Sequence, residues 1–271
     1  MELELKRGGR TARVETLGGE LVSYRDERGL EYIWGGDPAY WPGRNPLLFP
    51  IVGMLKEGKI RFDGREYAME RHGFARRREF TPAARGEDWV RLELRESAET
   101  LALYPYPFRL AVEQRLTDTG FSTAVTVANP GEGPLPFCLG AHTGFRCPLE
   151  AGERFEDYEL VFPERESCPT LLLRDGLLDR PAALPCLEDT DTLPLDYRWF
   201  DALDTLIFEG LRSRSVALRS RKSGRGVRVS FDGFPMLAFW TMPGKKAPYL
   251  CIEPWCGCAC RLTKSKARAY R

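Results

Sequence analysis

Val90-Arg91-Leu92-Glu93-Leu94-Arg95 alternates an aliphatic side chain with a charged one for six residues. Successive side chains of a strand point to opposite faces, so this stretch predicts one buried face and one wet face. That is the pattern of an antiparallel sheet covered on one side. The same parity runs through Leu110, Val112 and Leu116 across Glu113 and Arg115, through Val125 and Val127, and through Val227, Val229 and Phe231. Between Ile60 and Tyr67, Asp63-Gly64 separates two strand-like runs, the strongest short signal for a hairpin. Asn129-Pro130-Gly131 closes the Val125–Val127 run.

With 20 prolines and 26 glycines spread along 271 residues, breaks are frequent. No apolar stripe of helical period is sustained, and short helices are expected at most over Gly152–Tyr158 or Phe200–Leu203. Cys168 to Pro194 is rich in Leu, Asp and Pro with poor periodicity, and reads as a long surface loop. Short strands at regular spacing predict an all-β fold, a large antiparallel β-sandwich, with residues 1–271 forming a single domain.

Composition narrows the function classes. Hydrophobic residues make up 43%, charged residues 29% and aromatics 11%, a normal globular balance. A formal net charge of +1 argues against nucleic-acid binding, which asks for a basic excess. The small basic end, Lys264, Lys266, Arg268 and Arg271, reads as a solvated terminus. No apolar run approaches the length of a membrane helix, and Met1-Glu2-Leu3-Glu4-Leu5-Lys6-Arg7 has no apolar segment of a secretory signal. The expectation is a cytoplasmic protein with no membrane partner. The sequence assigns no oligomeric state. Four of the eight cysteines, Cys251, Cys256, Cys258 and Cys260, crowd together. Their spacings differ from the paired C-x-x-C of structural zinc sites, so reduced thiols and no metal are expected.

Three features can carry chemistry. The two histidines sit in glycine contexts, His72 before Gly73 and His142 between Gly140 and Gly144. Glycine permits close approach of backbone or ligand. The third feature is Glu253, in Tyr249-Leu250-Cys251-Ile252-Glu253-Pro254-Trp255. Leu250 and Ile252 are expected to face the core, and Pro254 to end the strand just after Glu253. A carboxylate among apolar residues is either a paired structural group or a functional one. The neighbouring Trp255 is a candidate platform for the apolar face of a sugar.

Four segments together resemble the aldose 1-epimerase (galactose mutarotase) family, and its LacX-like branch. They are Asn45-Pro46-Leu47-Leu48-Phe49-Pro50-Ile51-Val52-Gly53, His72-Gly73-Phe74-Ala75-Arg76, Gly140-Ala141-His142-Thr143-Gly144-Phe145 and Ile252-Glu253-Pro254-Trp255-Cys256-Gly257, in the family's order. The resemblance implies a galactose mutarotase-like supersandwich, a sugar substrate and no cofactor. It implies His142 as general acid, Glu253 as general base and His72 as the second histidine of the site. By the same comparison Asp204 matches a residue that hydrogen-bonds a sugar hydroxyl, and Asn45 and Arg76 line the site. Three departures stand out: Met54 where relatives often carry arginine, Thr143 in place of proline, and Cys256 in place of an aromatic. Met54 and Thr143 bear on sugar preference more than on chemistry. Three alternatives remain at this point, the weakest a thiol or metal protein built on the C-terminal cysteines. Arg71, Arg76, Arg77 and Arg78 around His72 would suit a hexose 6-phosphate, and a sandwich of this kind could bind carbohydrate without catalysis.

Overall fold

The computed structural model describes residues 1–258; Cys260 and the basic end from Lys264 to Arg271 lie outside the described residues. The chain is all-β and divides into two compact units, one of residues 1–31 and 45–139, the other of 32–44 and 140–257.

The first unit holds a three-stranded sheet of β1 (Glu2–Arg7), β2 (Arg10–Glu15) and β3 (Glu20–Arg25), the two-residue strand β4 (Leu47–Leu48), and a hairpin of β5 (Lys59–Phe62) and β6 (Arg65–Ala68). A four-stranded sheet follows, made by β7 (Thr81–Arg85), β8 (Trp89–Arg95), β9 (Arg109–Leu116) and β10 (Phe121–Ala128), with helix α1 (Ala98–Leu103) between β8 and β9. The β5–β6 turn is Asp63-Gly64, with φ of 46° and 82°. Two positive φ values are what a two-residue hairpin turn requires. In β8, Val90, Leu92 and Leu94 are buried while their neighbours are wetter, as the alternation requires. β10 differs. Val125 and Val127 are only partly buried, because β10 is an edge strand with β9 as its single sheet neighbour. α1 was not foreseen; its start is set by Ser97, whose hydroxyl accepts from Thr100 N–H while Thr100 Oγ1 accepts from Ser97 N–H.

The second unit contains β11 (Leu139–Ala141), β12 (Thr143–Arg146), β13 (Tyr158–Arg174), β14 (Leu177–Pro194), helix α2 (Tyr197–Leu203), β15 (Thr205–Glu209), β16 (Ser215–Ser220), β17 (Gly226–Ser230), β18 (Met236–Trp240) and β19 (Tyr249–Cys256). The sheet order is β17-β16-β13-β15-β18-β19-β11, with β12 also on β19 and β14 on β13. The expected loop from Cys168 to Pro194 is therefore corrected: most of it is a long antiparallel ribbon. Four register shifts along β13–β14 break the period-two pattern, which hides a strand from a reading based on alternation. The ribbon turns at Asp175-Gly176, again with positive φ at both residues. The expected short helices are also adjusted. Within Gly152–Tyr158 only Phe155–Asp157 forms a 3₁₀ turn. α2 starts three residues before Phe200, with Asp196 capping the N–H of Arg198.

Two faces of the second sheet matter for function. Leu206, Phe208, Leu237, Phe239, Leu250 and Ile252 are fully buried on one face, and register aligns Leu206 with Phe239, Phe208 with Leu237 and Phe239 with Ile252. Each such side chain contributes roughly 1.5–3 kcal/mol by leaving water. The other face of β19 carries Tyr249, Cys251, Glu253 and Trp255. The core thus fixes where Glu253 points.

The histidine-bearing turn of the first unit has its own constraint. A Cβ at Gly73 would stand 2.2 Å from the carbonyl oxygen of Phe49, and φ there is +70°. That carbonyl accepts the N–H groups of Phe74 and Ala75. Gly73→Ala should therefore cost about 2 kcal/mol or more, measured as a lowered denaturant midpoint; an unchanged midpoint would contradict the close approach.

Candidate active site

His142 lies between β11 and β12, and Glu253 lies on β19, to which β12 is paired through Thr143–Ile252 and Gly144–Cys251. Pairing puts the two side chains in contact: His142 Nε2 is 3.2 Å from Glu253 Oε1. Both are largely shut from water, with 8% and 1% of their surface exposed. An isolated carboxylate in such a place is costly and takes a proton instead. Burial accordingly pushes the Glu253 carboxyl well above its usual range, with Trp255 offsetting part of this and the charge of Asp204 adding to it.

Asp204 belongs to the same unit. It ends α2 with φ 63° and ψ −65°, a sparsely populated conformation for a non-glycine residue. Its Oδ1 accepts from the indole Nε1–H of Trp240 at 3.0 Å.

Aromatic rings surround the pair. Trp41 lies over His142 with ring centroids 4.8 Å apart and planes at 35°, and Trp240 meets His142 edge-on at 5.6 Å. Trp41 also packs on Trp240 and Tyr249. Local pairing explains how Trp41 arrives there. Ile33 bridges Phe145, Trp34 N–H donates to Gly144 O, and Gly144 N–H donates to Arg44 O. Trp34 Nε1–H then donates to the Trp41 carbonyl at 2.9 Å. A Cβ at Gly144 would stand 3.0 Å from the Trp41 ring and 3.1 Å from the Arg44 carbonyl oxygen. Glycine at 144 is therefore the seat of the indole.

The first unit holds the remaining expected site residues. His72, at φ 66°, is locked to Gly53: its backbone N–H donates to Gly53 O at 2.8 Å, and its Nδ1 accepts from Gly53 N–H at 3.1 Å. Accepting at Nδ1 leaves Nε2 as the donor of the neutral ring. Asn45 is buried, and its backbone N–H donates to Glu20 Oε1. Arg76 donates from Nη2 to the Arg71 carbonyl, while Arg77 pairs with Glu70 and Arg78 with Glu99. Met54 Sδ accepts from Arg71 Nη2 at 3.3 Å.

Two expectations change. Pro254 does not end its strand; β19 continues to Cys256, with Pro254 opposite Leu237. A proline removes one ladder donor without altering the extended path. Trp255 is 94% enclosed, since only 6% of it is exposed, so the rings that present surface beside the pair are Trp41 and Trp240. Neither was identified from sequence. Tyr40-Trp41-Pro42-Gly43 offered a signal, an indole in a turn-rich segment. Trp240 offered none, because it continues an apolar strand.

On its all-β scaffold the chain thus carries a buried histidine–carboxyl contact flanked by two indoles. The aldose 1-epimerase family model matches residues 1–268, and the chain belongs to that family. It is 43% identical to the plasmid-encoded protein LacX of Lactococcus lactis subsp. lactis over 265 residues, covering 95% of this chain and 88% of that protein. Among solved structures it resembles a galactose mutarotase related enzyme from Lactobacillus acidophilus, with TM-score 0.92 and 27% identity over 98% of this chain and 89% of that one. A galactose mutarotase-like protein from Lactobacillus casei gives TM-score 0.85 and 29% identity over 96% and 89%. The fold is the galactose mutarotase-like supersandwich.

A base must be ionised to accept a proton. If Glu253 is the base that the family resemblance implies, its carboxyl, raised by burial, should make activity fall on acidification at a pH above the ordinary glutamate value of about 4.3. The acidic limb of kcat/KM against pH checks this; a limb at or below the ordinary value would contradict it.

Proposed function

We propose that this protein is an aldose 1-epimerase, interconverting the α and β anomers of an aldose, with His142 as general acid and Glu253 as general base. The observation that carries the reading is the 3.2 Å side-by-side contact of the two groups. The oxygens that exchange protons in anomerisation, the C1 hydroxyl and the ring oxygen, are bonded to one carbon. An acid and a base that serve them must themselves be neighbours, facing the same way.

The steps balance. Ionised Glu253 takes the hydroxyl proton at C1 while protonated His142 gives its Nε2 proton to the ring oxygen. The C1–ring-oxygen bond breaks, its electrons stay on the ring oxygen, and the O–H pair becomes the aldehyde carbonyl. Rotation about C1–C2 presents the opposite carbonyl face. On closure the new ring oxygen returns its proton to His142, and Glu253 returns one to the carbonyl oxygen. The pair ends as it began, so the proton balance closes without a cofactor. Histidine suits the acid role because its reference pKa is about 6.5. Raised basicity makes Glu253 a better acceptor than an exposed carboxylate. Trp41 and Trp240 offer apolar ring faces to a pyranose, and Asp204, fixed by Trp240 Nε1–H, offers a hydroxyl acceptor. We assign His72, Asn45 and Arg76 to substrate holding on the family's pattern, in a single epimerase domain spanning the chain and acting in the cytoplasm.

The hexose 6-phosphate reading has less support, because Arg77 and Arg78 pair with the carboxylates of Glu70 and Glu99. A purely binding role does not account for a carboxyl buried at such cost beside a histidine.

His142→Gln and Glu253→Gln should each lower anomer exchange by about 10² to 10⁴-fold, measured by exchange NMR on free and 6-phosphorylated aldoses. Circular dichroism should show the fold retained. Near wild-type exchange in either variant would remove the assigned roles, and faster exchange of the phosphorylated sugar would favour the other substrate.

A further inference from the structure

Cys251 stands two residues before Glu253 on β19, so both side chains leave the same face of one strand. Its sulfur, a His142 ring nitrogen and a Glu253 oxygen all lie within 4.8 Å of one another. We propose that these three side chains form a binding site for a thiophilic divalent cation, zinc or cadmium, and that the bound cation blocks epimerisation.

The donor set fits the ion. Zinc takes thiolate, imidazole and carboxylate ligands, and three protein ligands leave a fourth position for water or a sugar hydroxyl. Thiolate and imidazole favour zinc or cadmium over magnesium or calcium, which take oxygen. With bonds of about 2.0–2.3 Å, ligand atoms of a tetrahedral zinc lie roughly 3.3–3.6 Å apart. The His142–Glu253 separation of 3.2 Å is already near that value. Two ligands share one strand and the third sits beside that strand's paired neighbour, so all three side chains converge on one point. Trp41, Trp240 and Tyr249 pack around the three donors as an aromatic surround.

The proton balance follows. Cys251 is fully buried, and zinc binds sulfur as the thiolate, so metal entry displaces the thiol proton. Binding exchanges the S–H bond for an S–metal bond and releases that proton and any proton held between His142 and Glu253. A cation on Nε2 and Oε1 occupies the atoms that move protons in the epimerase reaction. Only the inhibition rests on the proposed activity; the binding does not.

The test uses chelator-stripped, full-length protein in three forms: wild type, Cys251→Ala, and a variant with Cys256, Cys258 and Cys260 all changed to serine. Zinc is titrated against a chromogenic chelator, cobalt is followed by its thiolate charge-transfer absorption, and anomer exchange is compared with each form's own metal-free rate. His142→Gln serves as a second binding variant should Cys251→Ala fail to fold. Expected are one zinc per wild-type chain, at least tenfold weaker binding in Cys251→Ala or His142→Gln, the charge-transfer band in the triple-serine form but not in Cys251→Ala, and chelator-reversible inhibition. The site is overturned if wild type binds no zinc, if Cys251→Ala binds it equally well, or if the band follows the three C-terminal cysteines. Active enzyme indifferent to bound zinc overturns the inhibition. Absence of any anomer exchange, with the band intact, would fail the epimerase reading while leaving the metal site standing.

Discussion

A carboxyl group held out of water against a histidine is the constraint on which the rest of this structure turns. Glu253 is 1% exposed and 3.2 Å from His142 Nε2. Burying either group alone would be costly, and the contact gives each a polar partner. The scaffold accepts the cost because Leu250 and Ile252, flanking the alternate positions of β19, are anchored in the core beside Phe239. Strand parity then leaves Glu253 no other direction. The arrangement exchanges stability for reactivity, as sites that need a perturbed acid or base commonly do.

The second support is a missing side chain. Gly144 stands opposite Cys251, and the space it leaves is filled by the Trp41 indole. Through Trp34, the segment 32–44 is tied to β12 and holds that indole over His142. A ring in this position covers one side of the pair. The same strand register brings the thiol of Cys251 within 4.8 Å of His142 and Glu253, so the proposed epimerase and soft-metal sites would share atoms.

Much of this was legible in the sequence where chemistry is local. Alternation at Val90–Arg95 and the Asp63-Gly64 turn depend on neighbouring residues alone, and both appear as read. His142 and Glu253 stood out because glycine contexts and a carboxylate in an apolar run are local anomalies. The β13–β14 ribbon escaped because bulges disrupt the period that reveals strands, although Asp175-Gly176 carried the same turn signal as Asp63-Gly64. Pro254 misled because the rule against proline in strands concerns a hydrogen-bond donor, and this position tolerates its loss. Trp41, Trp240 and Cys251 became part of the site only through register between distant segments, which no single stretch encodes.

The most direct measurement is a crystal structure of the Glu253→Gln protein with an aldose bound. The account predicts a pyranose with its ring oxygen within about 2.6–3.2 Å of His142 Nε2 and its C1 hydroxyl within the same reach of the residue 253 side chain. A sugar bound with C1 turned away from both, or with either oxygen beyond the reach of its partner, would contradict it.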